Sequence, residues 1–163
     1  MQNCLTKLLF LFLFGICSLF VRTSFAQNRT NNTLINDFIS RQARISKGVE
    51  YKGARKIIYA DLNKNGSKDA VVLYTLEGFY GRNNYIQYLA IFVKDKNDML
   101  KNVKREIVGG KNNRDVYLES VVNGKINLKT MNYLPKDASC CPSREEHSQI
   151  IFSKNKLREV KIN

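Results

Sequence analysis

Asn123-Gly124 stands between two strand-like runs, Val116 to Val122 and Lys125 to Met131. A two-residue connection of this kind needs positive φ at both central positions, which Asn-Gly supplies at low steric cost, and it joins antiparallel neighbours. Lys125-Ile126-Asn127-Leu128-Lys129 alternates cleanly, as a strand with one wet face should. Other segments extend the pattern. Lys56 to Ala60 leads into a turn, and Ala70 to Leu76 leads out of it. Tyr85 to Val93 (YIQYLAIFV) is apolar on both faces, which suits a central strand. Ser148 to Phe152 and Leu157 to Ile162 flank the turn Lys154-Asn155. Ahead of the strands, Thr33 can cap a helix over Leu34 to Ser46. Leu34, Ile35, Phe38, Ile39 and Ala43 or Ile45 recur there at spacings of three and four, and Gly48 ends it. The expected fold is α+β: an N-terminal helix packed on an antiparallel sheet of about six or seven strands, one domain over 33–163.

The chain opens with MQNCLTKLLFLFLFGICSLFVRTSFAQ. Lys7 precedes a run from Leu8 to Val21 that is apolar except at Gly15 and Ser18, and Ser24-Phe25-Ala26 places small residues before Gln27. This pattern predicts a signal peptide over 1–26, cleaved after Ala26, with a polar lead-in over 27–32. The run is short for a membrane span of about 20 residues, and Arg22 closes it. Ile16 before Cys17 argues against lipidation. Cleavage removes Cys4 and Cys17, so the exported chain, periplasmic or secreted, keeps only Cys140 and Cys141. Loss of Lys7 and Arg22 takes the formal net charge from +13 to +11. Export makes nucleic acid an unexpected partner. An envelope protein or an anionic envelope component fits the charge better, with no transmembrane segment left after cleavage. The same charge also serves solubility alone.

Asp61-Leu62-Asn63-Lys64-Asn65-Gly66-Ser67-Lys68-Asp69 fits D-x-N-x-N-G-x-x-D. Asp61, Asn63, Asn65 and Asp69 could offer side-chain oxygens, and Ser67 its carbonyl, to a hard cation such as Ca²⁺. Only two carboxylates are present, with two lysines inside the loop, so affinity would be weak. The alternative is a metal-free turn at Asn65-Gly66, in which Asp and Asn bond nearby backbone N–H groups.

YADLNKNGSKDAVVLYTLEG, then YLAIFV, then CCPS, resembles a group of small exported bacterial proteins with a "DLNGDGxxDAVV" strand-turn-strand and a terminal CCP[ST] segment. The loop is similar to those of FG-GAP/VCBS repeats, and a related pattern occurs in the LppP/LprE group of mycobacterial lipoproteins. The resemblance spans Ile57 to Phe152. It implies export and an α+β fold, and little chemistry. The chain departs from the pattern at Asn65, where the group has Asp, and at Phe79, Tyr80 and Arg82, where it tends toward Gly and Ser. No lipobox is present.

Cys140-Cys141 can close a strained vicinal disulfide, make separate contacts, bridge two molecules, or join His147 in holding a soft metal. His147 is the sole histidine, no Gly-x-Ser-x-Gly or HExxH occurs, and Glu145 and Glu146 point to opposite faces of a strand. An enzyme is therefore not expected. Three functions remain: a noncatalytic exported module binding a ligand through Phe79, Tyr80 and Arg82; a Ca²⁺-stabilised structural domain; and a thiol-redox or metal-handling protein using Cys140 and Cys141.

Overall fold

A computed structural model describes residues 30–162. The leader expected over 1–26, with Cys4 and Cys17, and positions 27–29 of the lead-in lie outside the described residues. Two compact units divide the chain, Met1–Phe38 and Ile39–Asn163. In the first, residues 30–38 are helical; in the second, the same helix, α1, runs on to residue 46. Thr30, Asn31 and Asn32 are thus helix and not lead-in. Asn31, Ile35 and Ile39 are buried at a spacing of four, whereas Ile45 is 70% exposed, so Ala43 continues the stripe. Lys47 takes the left-handed cap conformation (φ 53°), and the Gly48 N–H donates to the Ala43 carbonyl. Gly48 is small for another reason: a Cβ there would lie 3.0 Å from the Phe79 ring and from the Glu77 carbonyl.

Nine strands follow among the described residues: β1 (Val49–Glu50), β2 (Lys56–Ala60), β3 (Asp69–Glu77), β4 (Tyr85–Lys94), β5 (Leu100–Gly110), β6 (Arg114–Val122), β7 (Lys125–Asn132), β8 (Arg144–Ser153) and β9 (Lys156–Ile162). From β3 to β9 each strand pairs antiparallel with the next, and β1 and β2 share one edge of β3. The α+β class holds, with more strands than expected. The additions are β1, only two residues long, and β5. Two register shifts against β4 break the two-residue period of β5, so apolar and charged side chains lose their alternation and Ile107 faces solvent. Both residues of the Asn123-Gly124 turn have positive φ, as do Lys154 and Asn155.

β5 and β6 pair only at Gly110 and Arg114. There the sheet turns over, and β6 comes across the inner face of β3 and β4. Gly109 permits the crossing, because a Cβ would sit 2.6 Å from the Arg114 carbonyl and 2.7 Å from Gln87 Oε1. The enclosed core contains Val71, Leu73, Leu89, Ile91, Val116, Leu118, Ile126, Leu128 and Ile150. The outer face of β3 and β4 is buried as well, through Val72, Tyr74, Leu76, Ala90 and Phe92. Tyr74 stacks on Tyr88, Arg105 covers the Tyr88 ring at 4.8 Å, and Arg105 Nη1 donates to Gln42 Oε1 of α1. No helix among the described residues is long and apolar enough to cross a membrane.

Candidate functional site

The turnover at the β5–β6 break leaves a cleft of about 610 Å³ beside the core. Leu73, Thr75 and Glu77 of β3 and Tyr85 and Gln87 of β4 form its floor, β6 from Asp115 to Leu118 forms one wall, and the segment from Tyr51 to Lys56 forms the other. β3 and β4 deliver alternate residues to this face, in register as Thr75 opposite Gln87 and Glu77 opposite Tyr85.

Gln87 holds the wall in place. Its Nε2 donates to the Val116 carbonyl at 3.1 Å, and the Val116 N–H donates to its Oε1 at 2.7 Å. One side-chain amide therefore replaces the strand partner that β6 lacks here. Beside it, Tyr85 Oη donates to Asp115 Oδ1 at 2.5 Å. Burial, followed by the hydrogen bonds to Asp115 and Tyr133, pushes the Tyr85 hydroxyl above its ordinary pKa, so it remains a donor at any physiological pH. Arg55, on the opposite wall, is forked onto Glu50 by Nε (2.6 Å) and Nη2 (2.5 Å). The Thr75 hydroxyl is buried and has no hydrogen-bond partner among the described residues. The cleft thus offers apolar walls with a few fixed donors and acceptors.

None of the candidate site residues read from the sequence lines this cleft. In the acidic loop the oxygens turn toward the backbone. Asp61 accepts from the Asn65 and Gly66 N–H groups, Asn63 from Asn65, Asn65 from Ser67, and Asp69 from Leu62 and Lys94. Positive φ falls at Lys64 and Gly66, and not at Asn65. Asp69 is fully buried, and burial raises its carboxyl pKa despite those two bonds. Phe79 packs inward, Tyr80 is 74% exposed with Lys47 Nζ 5.3 Å from its ring centroid, and Arg82 is exposed.

Cys140 and Cys141 are joined as a vicinal disulfide, exposed in the β7–β8 loop. Asp137 closes that loop by accepting from the Leu134 N–H, the Ser143 N–H and the Ser143 hydroxyl. His147 lies on β8 with its ring nitrogens 3.4 Å from Glu119 and Glu145. Glu145 pairs with Lys129, and Glu146 with Arg144 and Lys161. Among the described residues no group of three or more His, Cys, Asp or Glu side chains is placed to hold a metal ion.

Gln87 and the Gly109-Gly110 pair carried a usable signal: a lone amide inside an apolar run, and paired glycines at the end of a charged one. Thr75, Tyr85 and Asp115 carried none, since a strand residue's partner across a folded sheet has no fixed spacing in sequence. No protein-family model matches this chain, and no curated protein or solved structure matches it either.

Proposed function

We propose that this chain is an exported, noncatalytic binding protein that takes a small polar molecule into the cleft between β3, β4 and β6. The observation that carries the reading is the cleft itself, about 610 Å³ with a buried, unpartnered Thr75 hydroxyl, the Tyr85–Asp115 pair and the Gln87 amide around Leu73, Val116 and Leu118. That volume suits a small-molecule ligand. Tyr85 keeps its proton and commits it to Asp115, an arrangement for hydrogen bonding and not for proton transfer. The leader pattern over 1–26 supports export, and the net charge of the exported chain favours an acidic or neutral envelope component over a cationic one.

The test is titration of the purified protein with panels of monosaccharides, amino acids and nucleosides, followed by amide chemical shifts. A binder should move Thr75, Gln87, Asp115 and Val116 together, and Ala54→Trp, which fills the cleft from its wall, should abolish the response. If no compound moves these amides, or if Ala54→Trp leaves the response intact, the reading fails. Intact mass of the protein recovered from the host should begin at Gln27; a mass that includes Met1 would remove export.

A further inference from the structure

At the other end of the β3–β4 ladder, where Ala70 pairs with Phe92, the folded sheet opens a second time. This mouth, about 470 Å³, has a floor of Leu62, Val93, Val103 and Phe152, all from the core or packed against it. Its rim is built from two turns. One is the 61–69 loop, which contributes Asn63 and Lys64; the other is the β8–β9 turn, which contributes Ser153, Lys154 and Asn155. No Asp or Glu lines it.

Both turns are held before any ligand arrives. The Asp61, Asn63 and Asn65 oxygens pin the first by accepting from its own N–H groups. Antiparallel pairing of Ser153 with Lys156 closes the second. Lys64 and Lys154 both sit at positive φ, near the tips of these turns. Neither Lys64 nor Lys154 has a carboxylate partner among the described residues, as is true of most lysines there. The Asp61 and Asp69 carboxylates accept from main-chain N–H groups of the loop and of Lys94, and what the loop adds to the mouth is the positive charge of Lys64.

We infer that this mouth binds an amphiphilic anion, a carboxylate or phosphate headgroup on a single acyl chain. The head lies between Lys64 and Lys154, and the first methylenes of the chain cover Leu62, Val93, Val103 and Phe152. Placing the tail on a buried to half-buried apolar floor removes hydrocarbon from water, and two ammonium groups carried on hydrogen-bonded turns attract the head. The site is separate from the cleft and stands whether or not the cleft takes a ligand.

The experiment is calorimetric titration of the purified protein with dodecanoate below its micellar concentration. Dodecyltrimethylammonium serves as the charge control, and vesicles of phosphatidylglycerol or phosphatidylcholine form a second arm. Dodecanoate should bind, dodecyltrimethylammonium should not, and the amides of Val93, Val103 and Phe152 should shift. The double variant Lys64→Asn/Lys154→Asn keeps residues that tolerate left-handed backbone and should weaken binding about tenfold. Val103→Trp should block the tail while leaving both charges in place. Binding to phosphatidylglycerol vesicles with none to free dodecanoate would support the same headgroup chemistry, one of the lipid's two acyl chains entering the mouth, where Val103→Trp and the lysine variant each reduce it; vesicle binding that neither variant reduces would be net-charge adsorption and would overturn the inference. Equal binding of both detergents, undiminished binding by the lysine variant, or no binding to dodecanoate or to phosphatidylglycerol would each overturn the inference.

Discussion

Gln87 is the residue on which the architecture of the cleft turns. It is 7% exposed, and its amide satisfies both main-chain groups of Val116 where β6 has left its strand neighbour. Gln87→Met keeps the volume and removes both bonds, leaving a buried N–H and C=O without partners. Urea denaturation should show a loss of about 2–3 kcal/mol, and the Val116 amide should exchange faster with solvent. A loss within error would mean that the main chain finds other partners and that Gln87 does not hold the wall. The sequence marks Gln87 as odd, one amide in YIQYLAIFV, but not as a bridge. Hydrophobic pattern reports which face of a strand is buried and says nothing of what a buried amide meets there. Phe79 shows the converse: the sequence marks an aromatic in a glycine-flanked turn, and only packing shows it turned inward while Tyr80 stays out.

Among the elements, the two strands joined by the 61–69 loop were the easiest to foresee, and the loop's chemistry the hardest. Its composition admits a weak cation site as well as a self-bonded turn, since the same oxygens serve both. In the fold the Asp61 oxygens accept from two N–H groups and those of Asp69 from two more. Asp61→Ala should therefore lower the melting temperature by several degrees, for a loss of about 1–2 kcal/mol, by the same amount in EDTA as in millimolar Ca²⁺. If Ca²⁺ raises the melting point of the unmodified protein and EDTA reverses the rise, the loop takes a cation as well. β5 escaped the sequence for an element-level reason: its two register shifts against β4 scramble the alternation by which a strand is recognised. The hairpins at Asn123-Gly124 and Lys154-Asn155 were legible because turn chemistry is local.

At the level of the whole molecule, the fold closes through a contact between distant strands. Arg114 of β6 donates Nε to the Val108 carbonyl and forks onto Glu159 of β9 at 2.9 and 2.7 Å, and Ser148 Oγ donates to the same carboxylate. Burial opposes ionisation of Glu159, but Arg114 and Ser148 outweigh it and hold its carboxyl below the ordinary glutamate value. A carboxyl with a depressed folded pKa adds stability above its unfolded pKa, near ~4.3, and that stability is lost as pH falls through the folded pKa. Glu159→Gln should cost about 1 kcal/mol near neutrality after allowance for solvent screening. The difference from the unmodified protein should shrink away in acid. Urea denaturation at stepped pH reads it out, and a difference that stays constant with pH would mean that packing, and not charge, is responsible.

Local periodicity and turn chemistry, which act over a few residues, were enough to establish the helix, seven of the strands, their antiparallel sense and the α+β class, and to raise the vicinal pairing of Cys140 and Cys141 that the structure shows. The fold-over at Gly109-Gly110, the Gln87 bridge, the cleft and the basic mouth belong to tertiary structure alone. Each depends on which residues meet across a curled sheet. That meeting is decided by burying the whole core at once; the sequence can mark Gln87 and the glycine pair as unusual, but no fixed spacing along the chain names their partners.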